Sequence, residues 1–425
     1  MRSPREFDRT SMPFLVFATC LLASVRAPAQ SSSSPLPERP LRLVDCLAIS
    51  EERQPSLLVA RARLAASQSK LAALESLDGP VVRLRHDLPI RRQQARLGID
   101  AATADLARLE TENRYVVTRA YLSVLYARAQ RSVLDNLIDD LKYLRERVRA
   151  SVEKKDRPEW TVATVNLITL YLRRSEARRA EADRGIALSL AAVREALGVE
   201  PTVCLDIADE PIPQPTVQVC RTDILAAAVA RRGEVIEAGL ASEAAVLEID
   251  VQAAKCRRRP VNTFAAAADL HANHVPQPIY GEEFRPGGIP LAMPNVLSGP
   301  RAGRVETAQN FSAQAAAVAQ KTRNLAILEA EEAYYLWEEW SQKTVLLREA
   351  DTIATRLGRE LHEQFRGSLK GLIETLVPES LLAAQTRTDY NEALFRRAIA
   401  LAALERVSGG AFHSGLVNSL PPSHP

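Results

Sequence analysis

The stretch Leu134-Asp135-Asn136-Leu137-Ile138-Asp139-Asp140-Leu141-Lys142-Tyr143-Leu144-Arg145-Glu146-Arg147-Val148 places its leading apolar residues at a 3-4-3-4 spacing. Residues so spaced fall on one helix face, so this segment reads as a helix packed along a partner for its whole length. No proline lies between Pro89 and Pro158, and none between Pro300 and Pro378. At about 1.5 Å per residue, helices filling most of those intervals approach about 80–100 Å, a length that belongs to coiled-coil packing. Composition agrees. Aromatics make up 5% of the 425 residues and only 17 are Gly, while Ala, Leu, Arg and Glu, which lose little rotamer freedom on a helix, abound.

Outward from these helices the chain repeats itself. Pro211, Pro213 and Pro215 stand too close together for helix or central strand, and they fall at mid-chain. Asp45-Cys46-Leu47-Ala48 with Arg53, Pro55, Leu58 and Ala60 parallels Asp223-Ile224-Leu225-Ala226 with Arg231, Gly233, Ile236 and Ala238. Ala120-Tyr121-Leu122 parallels Ala333-Tyr334-Tyr335, and Ile186-Ala187-Leu188 parallels Ile399-Ala400-Leu401. Three matches in the same order predict a duplication. Each half reads as a short helix, a long helix, a tip (Lys154–Pro158, then Arg366–Gly371) and a long return helix capped at Gly198 or Gly409-Gly410. The expected division is a first helical repeat at 41–207, a Pro-rich linker at 208–219, a second repeat at 220–412 and a disordered tail at 413–425.

The N-terminus reads as a secretory leader over 1–29, followed by a flexible segment at 30–40. Arg2, Arg5 and Arg9 form a basic start, Pro13–Val25 an apolar run, and Ala27-Pro28-Ala29 a small-x-small cleavage site after Ala29. The run is shorter than the roughly 20 residues of a spanning helix. Formal charge is +3, and losing the leader leaves a nearly neutral chain with mixed signs, which gives nucleic-acid binding no support. Cys204 and Cys220 bracket the linker, and an oxidising compartment permits a bridge between them; two unpaired thiols is the alternative.

Three further segments carry a family resemblance. Ala398-Ile399-Ala400-Leu401-Ala402-Ala403-Leu404-Glu405-Arg406-Val407-Ser408-Gly409-Gly410 is similar to the closing Leu-Glu-x-x-x-Gly-Gly segment of the TolC-like outer-membrane efflux channels. Gln364-Phe365-Arg366-Gly367 with Glu374-Thr375-Leu376 is similar to that family's tip motif. Val296-Leu297-Ser298-Gly299-Pro300-Arg301, leading into Val305, is similar to its Phe-x-Gly-x-Arg junction. The resemblance spans about residues 41–412. It implies a mainly α fold, long antiparallel coiled-coil helices in tandem repeats forming a TolC-like helical barrel. It further implies a homotrimeric, outer-membrane and largely periplasmic conduit that does no covalent chemistry and needs no cofactor. Its implied partners are a periplasmic adaptor and an inner-membrane pump, in tripartite efflux or type I secretion. Glu374 takes the place of the family's acidic periplasmic gate, where a ring of carboxylates attracts cations. Lys154, Lys155, Asp156, Arg366, Gly367 and Ser368 take the place of its adaptor-contact tips. A solvated helix charge and plain turns are the alternatives.

One departure stands out. The family has a membrane hairpin in each repeat, and a spanning strand needs about 9–11 residues. The interval 258–299 has room for a hairpin, though Pro276, Pro278, Pro286, Pro290 and Pro294 each delete a ladder donor. The interval from Asp78 to Arg92 leaves room for only the short strand Val81–Arg85, so the β region is expected to be reduced. An alternative follows: a soluble periplasmic structural or interaction protein that kept the repeat and lost the barrel. A periplasmic adaptor is a third reading, and its lipoyl-like and β-barrel modules are not in the sequence. His271 and His274 have no carboxylate or Cys cluster beside them, and no phosphate loop or nucleophile motif occurs. Tyr334, Tyr335, Trp337 and Trp340, interleaved with Glu331, Glu332, Glu338 and Glu339, read as a packing seam rather than a membrane belt.

Overall fold

A computed structural model describes residues 39–77, 86–155, 160–255, 260–267, 293–367 and 373–417. The leader with Ala29, the strand expected at Val81–Arg85, Asp156, Cys256, His271, His274 and Ser368 lie outside the described residues. The helices are α1 (Leu43–Arg53), α2 (Pro55–Ser76), α3 (Leu88–Lys154), α4 (Val162–Ala196), α5 (Arg221–Arg231), α6 (Gly233–Ala254), α7 (Arg301–Gly367) and α8 (Ile373–Val407). Their lengths run 11, 22, 67, 35 and then 11, 22, 67, 35 again.

The opening helix of each half is not single, as the sequence led one to expect. It breaks at Gln54 and at Arg232, both with extended backbone. Pro55 explains the first break, because a residue before proline is pushed out of the helical region. The second has no proline, and a shared contact accounts for both. Gly198, at φ 65°, and Gly409, at φ 61°, end their return helices in the left-handed region. A Cβ on Gly198 would stand 2.7 Å from the Arg53 carbonyl oxygen, and one on Gly409 would stand 2.9 Å from that of Arg231. Each break is therefore the seat of its repeat's C-terminal glycine. These glycines also fix the register of the return helices: Leu188, not Ile186, is the counterpart of Ile399.

α3 packs along α4, and α7 along α8. Toward the tips α8 lies on α3, giving the order α4–α3–α8–α7; toward the other end α6 bridges α3 and α7, with α2 on the far side of α3. The result is a wall one helix thick. Its apolar contacts run as seams between neighbours rather than gathering in one central core.

At the end away from the tips, β1 (Val261–Asn262) and β2 (Val296–Leu297) pair antiparallel, Val261 with Leu297 and Asn262 with Val296. They stand at the base of the interval between α6 and α7; the corresponding first-repeat interval, 77–87, is far shorter. The linker is extended and pinned. Leu41 forms a parallel bridge with Ile207, Arg42 holds Glu210 at 2.8 Å, and Arg397 donates to the Pro215 carbonyl at 3.1 Å. Cys204 and Cys220 at its two ends are separate, exposed thiols. The bridge weighed from sequence is not formed between them in this structure. Residues 413–417 of the expected tail pack on the helices: Leu416 is buried, and the Ser414 amide donates to Glu405 at 3.2 Å. Among the described residues no helix is long and apolar enough to cross a membrane.

Candidate functional site

Three places on the wall gather the polar and candidate residues: the tips, the β-bearing junction and the seam midway between them. At the first tip, Lys154 ends α3 and Lys155 adopts φ 55°, donating its amide to the Val152 carbonyl at 3.3 Å. Lysines there oppose the negative end of the helix dipole. The chain re-enters α4 through Thr161, whose amide donates to Thr164 Oγ1 at 3.3 Å. Trp160, just outside that cap, is buried with Leu144, Val148, Ile168 and Leu172 of the first repeat and Leu376 and Val377 of the second. One apolar cluster thus binds both tips together. It places Lys154, Lys155, Arg366, Gly367 and Glu374 at the same end of the molecule.

Glu374 falls in the first turn of α8. Pro378 lies inside α8, and its missing N–H removes the helical donor to the Glu374 carbonyl. α8 nevertheless runs through Pro378 as one continuous helix. Above the tip a groove of about 540 Å³ opens between α3, α7 and α8, with Asn136, Asp140, Arg359, Glu379 and Arg387 set among apolar Val133 and Leu137 in its lining. Arg387 pairs with Asp351 at 2.5 Å along its side.

At the junction, Arg91 and Arg304 occupy equivalent positions in the first turn of the two long helices, and both reach α6. Arg91 pairs with Glu248 at 2.7 Å, while Arg304 donates to Gln252 Oε1 at 3.0 Å and to the Gly299 and Lys255 carbonyls at 2.7 and 2.5 Å. Glu248, Gln252 and Arg304 are fully buried. Glu248 also accepts from Gln252 at 2.7 Å and from the Phe264 amide at 3.2 Å, which ties the β segment to the helical wall. The buried junction arginine is thus Arg304, whereas the sequence motif pointed to Arg301, which is exposed.

Midway, a second ionic cluster crosses between the repeats. Arg232 meets Glu329 at 2.5 Å and Glu234 at 3.0 Å; Arg406 pairs with Glu329 and holds Glu112 of α3 at 3.0 Å. Burial works against both guanidinium charges, yet the carboxylates around them raise both above their ordinary values. Burial also pushes the Glu234 carboxyl up, and Arg232 outweighs it, leaving Glu234 below its ordinary value. Nothing local in the sequence announces this cluster, since its members come from four different helices. The aromatic group of α7 sits nearby, with Tyr334 5.7 Å from Tyr335 and 5.8 Å from Trp337, and Arg221 of α5 over Tyr335. Among the described residues no group of three or more His, Cys, Asp and Glu is placed to hold a metal ion.

No protein-family model matches the chain, and no curated protein matches it. Solved structures do. The outer-membrane channel OprN aligns over 87% of this chain and 90% of its own at a TM-score of 0.69, with 14% identity. The open state of the Neisseria gonorrhoeae MtrE outer membrane channel aligns over 87% and 89% at 0.65, with 13% identity. The Vibrio cholerae outer membrane protein VceC aligns over 87% and 97% at 0.65, also with 13% identity. The fold is the TolC-like helical one.

Proposed function

On this fold we propose that the chain is a passive conduit of the bacterial envelope: several copies close their walls into a helical tunnel through which small molecules or proteins move. The single-layer wall carries the proposal. A wall one helix thick leaves both of its edges without a helical neighbour, with exposed Leu167, Leu170 and Leu188 on α4 and Leu346, Ile353 and Leu357 on α7. Apolar edges of that kind need covering, and a ring of copies covers every one. By the resemblance, the ring is a homotrimer in the outer membrane and periplasm, exported by cleavage after Ala29. Its tips (Lys154, Lys155, Asp156, Arg366, Gly367, Ser368) meet an adaptor coupled to an inner-membrane pump, and Glu374 supplies the gate. Chemistry on the substrate has no part in this reading.

A second reading rests on the short interval 77–87, which leaves one repeat without room for a spanning hairpin. On that reading the protein is a soluble periplasmic structural or interaction protein. Fractionation of cells with light scattering on the purified chain separates the two. A trimer released only by detergent supports the conduit; a monomer in the aqueous fraction supports the second reading.

A further inference from the structure

In the tip-ward half of the wall α3 has a helix on each side, α4 and α8, whereas α7 has α8 on one side alone; α8 has both α7 and α3, whereas α4 has α3 on one side alone. The two repeats are otherwise matched helix for helix, so the α3–α8 seam inside the chain is a template for the seam that α7 and α4 lack. Burial at equivalent positions follows this difference. Leu144 on α3 is 1% exposed and its counterpart Leu357 on α7 is 42%; Tyr115 is 8% and its counterpart Leu328 is 40%. On the return helices Ile399 of α8 is 3% exposed and Leu188 of α4 is 60%. Leu346, Ala350, Ile353 and Leu357 continue along α7 at a 4-3-4 spacing, the spacing of a seam.

On the conduit reading the free edge of α7 is covered by α4 of a second copy of this chain, in the register of the internal α3–α8 seam; we propose that Glu339 pairs there with Arg184 of the neighbouring copy. The inference rests on the multi-copy conduit reading. Its specific content comes from one contact: Tyr126 of α3 stacks on Phe395 of α8 with ring centroids 4.7 Å apart. The repeat register carries Tyr126 onto Glu339 and Phe395 onto Arg184, so stacked rings become opposite charges. Both side chains are exposed, and Glu339 is held within its own helix only by Lys343, one turn on. Such an exposed pair contributes little and yields readily to a better partner. The internal ionic contacts are not duplicated. Glu112 and Arg406 map onto Leu325 and Glu195, and Glu248 opposite Arg91 maps onto Lys70. These ion pairs are thus not repeated between copies, and Glu339–Arg184 is the opposite-charge pair that the register supplies in their place.

The test uses the full chain with Cys204, Cys220 and Cys256 replaced by Ser. Within one chain α4 and α7 lie on opposite edges of the wall, so a disulfide joining residues 184 and 339 forms only between copies. Oxidation of the Glu339→Cys/Arg184→Cys variant is expected to give covalent two- and three-chain species on a non-reducing gel. Each single-cysteine variant is expected to remain one chain. Glu339→Arg and Arg184→Glu alone should shift the light-scattering population toward monomer, and the two together should restore it, with circular dichroism unchanged throughout. A wild-type oligomer that gives no cross-link and ignores both reversals overturns this seam and leaves the conduit standing. A wild-type chain that is monomeric with and without detergent overturns both.

Discussion

The glycines at the ends of the return helices carry the most exposed commitment at the residue scale. Replacing Gly198 or Gly409 by Ala puts a Cβ on a left-handed residue, at about 1–2 kcal/mol, and drives it into the Arg53 or Arg231 carbonyl. Each variant should lower the thermal midpoint followed by circular dichroism, and the same change at Gly239, which has open space around it, should not. Glu329→Gln removes the anion shared by Arg232 and Arg406. Because each arginine keeps a second carboxylate, the loss should fall toward the lower end of the about 3–5 kcal/mol typical of a broken buried pair. Glu234, held below its ordinary 4.5 by Arg232 against the effect of burial, contributes stability that is present above that value. It is lost as pH falls through the lowered folded value, so stability should decline below about pH 4.5, and less steeply in Glu234→Gln. Burial, with Asp45 beside it, pushes the Cys46 thiol up to about 12, so Cys204 and Cys220 should react with a thiol reagent long before Cys46. The capping glycines were legible from sequence because the left-handed region favours Gly. Their targets, and the Arg232–Glu329–Arg406 cluster, were not, since a pairing between distant helices leaves no mark on local spacing.

The elements themselves were the most readable level. Long proline-free intervals and the Leu134–Val148 spacing gave α3 and α7, and Leu137, Leu141, Leu144 and Val148 are buried along one seam. The slip of the Ile186–Ile399 match arose because the second tip is shorter than the first, and composition alone does not fix a register in Ala- and Leu-rich helices. The break at Gln54 is written in Pro55; the break at Arg232 is set by packing against Gly409 and has no local signature. α8 carries the element-level prediction. Pro378→Ala supplies the amide that the Glu374 carbonyl lacks, so the first turns of α8 should exchange their amide hydrogens more slowly. Trp160→Ala should act in the opposite sense. Emptying its place in the shared tip cluster should speed exchange at the end of α3 and the start of both return helices, while the junction end stays unchanged.

At the scale of the whole molecule, duplication explains why so much of a fold shared at 14% identity could be read from one sequence. One unit recognised twice fixes the order of three helical elements in each half, and a one-layer wall needs only seams. What the sequence did not yield is how the layer is stitched: the Arg91–Glu248–Gln252–Arg304 junction, the pinned linker and the packing of Ser414 and Leu416 are all long-range contacts. The difference between the repeats did come through, because the lengths of two intervals can be compared without any structure. The central claim is that this wall is one sector of a closed ring. Electron microscopy of the detergent-purified protein, averaged down the long axis, tests it most directly. The account predicts a hollow ring of twelve helices built from three copies; isolated four-helix slabs under the same conditions would contradict it.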